Sequence, residues 1–159
     1  MEQQQGRDET PEERADRNFA DILQELRVVL TGTQLISGFL LAVAFQTGFR
    51  DLDGDEIVHY LVLVAIAGLA TLLGMTPVVV HRLHFAKRMK ADVVQLGNRL
   101  LIATLVVVSA LVVGVTSFIF EVVVSQAAGL WAAGLTVAVV VTLWALAWSA
   151  HRHAPDREA

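Results

Sequence analysis

The chain has 159 residues, of which 55% are hydrophobic and 18% are charged, with a formal net charge of −4. A soluble domain of this length is rarely so apolar, so the composition indicates a membrane protein. The sequence contains no cysteine, which excludes disulfides, thiolate metal sites and a cysteine nucleophile.

The N-terminal segment divides into two parts. Residues 1–17 are charged and poor in apolar side chains, which predicts a disordered leader. Beyond them, Phe19, Ile22, Leu26 and Val29 recur at helical spacing on one face. This pattern predicts a short amphipathic helix that either lies at the inner membrane surface or runs straight into the first span.

Four apolar runs follow, and each is long enough to cross a hydrocarbon core of about 30 Å as a helix. Backbone groups in lipid must be hydrogen-bonded within the segment, so these runs are predicted to be helical despite their valine content. The predicted spans are residues 28–49, 57–80, 100–120 and 127–150. We therefore predict an all-α integral membrane protein with four transmembrane helices in a bundle, preceded by a short amphipathic N-terminal helix. Its transmembrane domain covers residues 18–150, and residues 151–159 form a tail.

Basic residues concentrate in the leader, in the connection between the second and third spans, and in the tail. By the positive-inside rule this distribution places both termini in the cytoplasm, in a multi-pass protein of the cytoplasmic membrane. The basic connection should contact anionic lipid headgroups, at roughly 1 kcal/mol per basic residue. A specific lipid or nucleotide site there is the alternative. The predicted headgroup contacts are Arg82, Lys87, Arg88 and Lys90.

Each predicted span carries a pair of small residues four positions apart, a spacing that lets membrane helices approach closely. The pairs are Gly38 with Ala42, Ala70 with Gly74, Ala110 with Gly114, and Gly134 with Ala138. We expect most of these seams to pack within one bundle. A face that remains unused would serve self-association, so we expect a homo-oligomer.

A polar stripe runs along the first span from its cytoplasmic end. Gln24, Arg27, Thr31, Gln34 and Gly38 follow one another at spacings of three and four, so they share one helix face. Polar groups at this depth usually face a bundle interior or a watery cavity. The stripe therefore indicates a solute path or gate, or else interhelical hydrogen bonds with an Arg27 that reaches to the headgroups.

Further polar residues lie at the ends of the spans. Arg99 mirrors the stripe at the cytoplasmic start of the third span, and Gln46 lies near the outer end of the first. Asp21 or Glu25 could pair with Arg27 or Arg99 to close the inner rim. These pairs would act as a structural latch or as a transport gate.

Other candidate sites receive plainer interpretations. Glu121, at the outer end of the third span, could bind a cation or could be a boundary carboxylate in water. Four histidines at the inner boundary could sense pH or bind a metal, but they lack carboxylate or cysteine partners in a clear pattern, so we expect no metal site. These histidines are His81, His84, His151 and His153.

The sequence also lacks the residues that several function classes require. No predicted span has Asp, Glu, Lys or Arg in its central half, where secondary antiport usually depends on an ionisable group. There is no nucleophile–base set, phosphate loop or HExxH motif. We therefore expect neither an enzyme nor a cofactor, and no nucleic-acid partner.

Two stretches together resemble a known family. The first span carries a Glu-Leu-Arg-Val segment at residues 25–28, a Thr-Gly-x-Gln step at 31–34 and a Phe-Gln pair at 45–46. The second span ends in Pro-x-x-x-His-Arg-x-x-Phe at residues 77–85. These motifs resemble an actinobacterial family of short four-span membrane proteins with an uncharacterised domain. The resemblance implies the four-span architecture, and some members carry an automatic label of sodium:proton antiporter.

The leading functional prediction is a homo-oligomeric channel or transport assembly for an ion or small solute, because a channel tolerates neutral lining groups. The candidate path or gate residues are Gln24, Arg27, Thr31, Gln34, Gln46 and Arg99. The competing prediction is a membrane scaffold or accessory subunit that does not transport. Sodium:proton antiport comes third.

Overall fold

The structure is a computed structural model that describes residues 10–84 and 91–153. In that part of the chain there are four long α-helices, and each is long and apolar enough to cross a membrane. They are α1 (Pro11–Val43), α2 (Gly54–His84), α3 (Ala91–Val123) and α4 (Gln126–His153), with a 3-10 helix at Thr47–Asp51. The prediction of an all-helical fold with four helices long and apolar enough to span a membrane is therefore confirmed.

The structure does not show a separate amphipathic N-terminal helix. Helix α1 is continuous from Pro11 to Val43, so residues 11–17, predicted as part of a disordered leader, are helical. The reason is a local cap. The Thr10 side chain accepts a hydrogen bond from the Glu13 backbone N–H, the Glu13 carboxylate accepts one from the Thr10 N–H, and Pro11 occupies the first helical position.

Helix boundaries also differ from the predicted spans. Helix α1 ends at Val43, whereas the predicted span continues to residue 49. Its last turn tightens, since the N–H groups of Phe45 and Gln46 bond to carbonyls three residues back, at Ala42 and Val43. The other three helices extend beyond their predicted spans, because apolar counting measures the hydrocarbon layer and a helix can continue into water.

Helix α3 lies at the centre of the fold. It packs against α1, α2 and α4, and α1 also packs against α2. The largest cluster of buried side chains joins the first three helices through Leu40, Tyr60, Leu63, Leu111 and Phe118. The Tyr60 hydroxyl donates to the Leu40 carbonyl at 2.9 Å, which satisfies the one polar atom of that ring. Apolar side chains thus fill the space between α1, α2 and α3.

Two of the predicted small-residue seams are used within the bundle. A methyl group added at Gly74 would lie 2.6 Å from Cδ2 of Leu30, and one at Gly114 would collide with Leu63. In contrast, no atom of the described residues lies within 4 Å of the corresponding positions at Gly38 and Gly134. The seams on α1 and α4 are therefore open in a single copy.

Candidate functional site

The polar stripe of α1 faces away from the bundle. Its members Gln24, Arg27, Thr31, Gln34 and Gly38 are all exposed. The buried side chains of α1 project from the other side of the helix, because at about 100° per residue the two sets lie roughly opposite one another. These buried residues are Phe19, Ile22, Leu26, Thr33 and Leu40. The stripe therefore points outward from the four-helix unit.

Gln34 lies near the middle of the apolar layer. Two contacts between the antiparallel helices α1 and α2 show which residue of α2 lies beside Gln34. Leu30 packs on Gly74, and the Leu40 carbonyl accepts the hydrogen bond from Tyr60. Interpolation between these contacts puts Gln34 level with about residue 68 of α2. That residue is the midpoint of the apolar run 57–80. The stripe thus reaches the centre of the predicted membrane.

Hydroxyl groups on α1 are satisfied within the helix, but the Gln34 amide is not. Thr31 and Thr33 donate to the carbonyls of Arg27 and Val29 at 2.8 and 2.9 Å. Over residues 10–84 and 91–153, no hydrogen bond to the Gln34 side chain is found. An unpaired amide in hydrocarbon costs several kcal/mol, so this side chain requires water or a polar group from outside the copy.

The N-terminal ends of α1 and α3 form an open groove of about 720 Å³. Asp21 and Glu25 of α1 line it together with Gln95 and Asn98 of α3. In the described part of the chain neither carboxylate forms an ion pair with Arg27 or Arg99. Helix geometry explains why Glu25 does not pair with Arg27, because the two side chains project about 160° apart around the helix axis.

The remaining predicted contacts lie at the rims. Gln46 follows α1 and is exposed, with its amide 3.5 Å from the Ala42 carbonyl. Arg99 is exposed on α3, and Arg82 is exposed in the last turns of α2. The other predicted headgroup contacts, Lys87, Arg88 and Lys90, lie outside the described residues. The members of the α1 stripe thus share one face of a single helix, whereas Arg99 belongs to α3.

Sequence reasoning missed the contact between the ionisable side chains of His59 and Glu121, which joins α2 to α3. His59 Nδ1 of α2 lies 2.6 Å from Glu121 Oε2 of α3, and the two side chains are 27% and 15% exposed. Glu121 is therefore a half-buried, paired carboxylate instead of a free group in water. The positions of the two residues in the sequence could have indicated this pair. His59 lies near the start of α2 and Glu121 near the end of α3, and in antiparallel helices these two ends lie at the same level.

The histidines show no metal-binding arrangement in the described residues. No group of three His, Asp or Glu side chains there could hold a metal ion. His81 instead stacks on Phe19 of α1, with ring centroids 5.4 Å apart. His59 meets the Phe118 ring edge-to-face at the same centroid distance.

The chain matches a protein family over most of its length. The profile of a family described as "Family of unknown function (DUF6328)" matches residues 8–148. No curated protein and no solved structure matches the chain. The match includes all of the polar stripe and the His59–Glu121 contact.

Proposed function

The chain belongs to the DUF6328 family, whose function is unknown, and we propose that it forms a homo-oligomeric assembly that conducts an ion or small solute across the cytoplasmic membrane. In this proposal several copies arrange their α1 helices around a common axis. The polar stripe of each copy, from Gln24 to Gly38, lines the path between them. The assembly performs no chemistry on the solute.

The observation that carries the proposal is the position of Gln34. Its amide is exposed, without a hydrogen bond in the described part of the chain, and level with the middle of the apolar run of α2. The space inside one copy is filled by Leu63, Leu111 and neighbouring side chains. Water that reaches Gln34 must therefore run outside the copy, which requires walls from further copies.

The surface of helix α4 also supports an assembly in which the α1 helices face a common axis. Its surface is apolar and exposed, and its tryptophans lie near its two ends, with Trp131 81% and Trp148 62% exposed. Tryptophans at both ends of a span are typical of a helix that contacts lipid and its headgroups. With α4 against lipid, α1 is free to face the axis of an assembly.

Orientation follows from charge. The basic residues of the leader, the middle connection and the tail favour a cytoplasmic location for both termini. Arg82 and the neighbouring bases of that connection would then contact anionic headgroups on the cytoplasmic side. Under this orientation Arg27 lies at the inner mouth of the path.

A second candidate function uses the same stripe as a dry contact. Within the part of the chain that the structure describes, Gly38 has no atom within 4 Å of the position of an added methyl group. Ala42 lies one turn beyond it on an exposed surface. Small residues at this spacing favour close approach of two membrane helices. Gln34 amides could then pair across the contact, in a scaffold or accessory subunit that conducts nothing.

Flux measurements distinguish the two. The purified full chain is reconstituted into liposomes, and fluxes of proton, sodium, potassium and chloride are recorded beside empty vesicles. We expect flux from the natural chain and a reduced flux from Gln34→Leu. The matched control is Gln126→Leu, the same change at the exposed start of α4, which should conduct as the natural chain does.

Two results would overturn conduction along the stripe. Flux of every tested ion equal to that of empty vesicles would favour the scaffold. Equal flux from Gln34→Leu and the natural chain would show that the stripe does not line the path. Strictly coupled exchange of one cation for another would instead favour an antiporter.

A further inference from the structure

We infer that the conducted species are anions, an inference that rests on the proposed function and assigns Arg27 as the selectivity residue. Between Gln24 and the end of α1, the charged residues are Glu25 and Arg27. Arg27 lies on the stripe, is exposed, and forms no ion pair within the described residues. Each copy therefore places one guanidinium at the inner mouth of the path.

Glu25 does not compensate this charge. It lines the groove between α1 and α3, on a side of the helix about 160° from Arg27. The nearest carboxylate on the stripe face is Asp16, 11 positions earlier, and a rise of 1.5 Å per residue puts it about 16 Å further into the cytoplasm. That separation is about twice the screening length at physiological ionic strength, roughly 8 Å.

The outer side of the chain carries more carboxylates than bases, at Asp51, Asp53, Asp55 and Glu56. These residues follow the end of α1. Asp51, Asp53 and Asp55 are exposed, and Glu56 in the first turn of α2 is partly exposed. Charges in water are screened more strongly than charges at the edge of the apolar layer. The Arg27 ring therefore dominates the field along the path.

The neutral stripe residues are compatible with anions. The amide N–H groups of Gln24 and Gln34, like the guanidinium of Arg27, donate hydrogen bonds. An anion can accept these bonds. Rings of Arg or Lys side chains are the usual selectivity element of anion pores. Removal of the positive charge should consequently abolish the preference for anions.

The test is the reversal potential of the reconstituted chain in asymmetric KCl. We expect reversal near the chloride equilibrium potential for the natural chain and for Arg27→Lys, and a shift towards the potassium potential for Arg27→Glu. The control Arg152→Glu makes the same charge reversal at the exposed end of α4, off the stripe, and should not shift the potential.

A cysteine variant tests the same charge after folding. Because the chain has no cysteine, Arg27→Cys can be modified at a single thiol with a cationic or an anionic methanethiosulfonate. The cationic reagent should restore chloride preference and the anionic reagent should abolish it. Cation selectivity of the natural chain, or equal potentials after both reagents, would overturn the inference and leave conduction intact. Absence of any current would overturn the proposed function itself.

Discussion

His59 and Glu121 join α2 to α3 at the end of the bundle where α2 begins. Nδ1 of His59 lies 2.6 Å from Oε2 of Glu121, across 62 positions of sequence. The imidazole also meets Phe118, which belongs to the buried cluster. A polar pair that is mostly shielded from water fixes the rotation of both helices, because neither side chain can turn away without leaving its partner unpaired.

A double-mutant cycle measures this contact. Hydrogen bonds that involve a charged group contribute about 1.5–3 kcal/mol, and groups in direct contact show coupling energies of similar size. We expect a coupling of about 1–3 kcal/mol from His59→Phe, Glu121→Leu and the double variant, measured as free energies of unfolding in detergent. Phenylalanine retains the ring against Phe118. Additive effects of the two changes would show that the contact contributes nothing to stability.

The sequence was sufficient to predict the number of spans, because runs such as residues 57–80 are apolar beyond what a soluble helix needs. It was not sufficient to place the two ends of α1, because both depend on local hydrogen bonds. The helix is capped by Thr10 at its start and ends early, at Val43. Charge content suggested a disordered leader. The capping box and Pro11 outweigh that tendency from residue 11 onward.

The candidate site could be predicted only in part. Helical spacing correctly grouped Gln24, Arg27, Thr31 and Gln34 on one face, since that depends on geometry within one helix. Which way the face points depends on packing between helices, and periodicity along one helix does not give that. For the same reason the pairing of His59 with Glu121 was missed.

Two glycines of α4 should respond differently to the same substitution. A methyl group at Gly129 would lie 2.9 Å from both the Ser117 carbonyl oxygen and Cβ of Glu121. One at Gly134 would have no atom of residues 10–84 or 91–153 within 4 Å. Backbone atoms cannot move aside as a side-chain end can. We expect Gly129→Ala to cost about 1–3 kcal/mol of unfolding free energy in detergent. Gly134→Ala should be neutral or slightly stabilising, and equal effects would contradict the packing of α3 against α4.

Gly38 offers a test of self-association that leaves the fold of one copy intact. Space around Gly38 and Gly134 is open in a single chain, so Gly38→Leu and Gly134→Leu should both fold. If copies meet along α1, only Gly38→Leu should weaken the assembly, by about 1–2 kcal/mol or roughly tenfold in dissociation constant. The measurement is the mass distribution in mild detergent and subunit counting by photobleaching in vesicles. A monomer for the natural chain, or equal assembly of both variants, would contradict a contact through α1.

Water access to Gln34 separates a path from a dry contact. Thiols react with charged methanethiosulfonates as thiolates, which form in water and not in hydrocarbon. Gln34→Cys is the only thiol in its variant because the natural chain has none. In liposomes we expect it to react at least about tenfold faster than Leu135→Cys, which is 70% exposed on α4 and faces lipid in the proposed arrangement. Slow modification of both cysteines would indicate that Gln34 is sealed between packed helices, and the scaffold would then be the better account of the stripe.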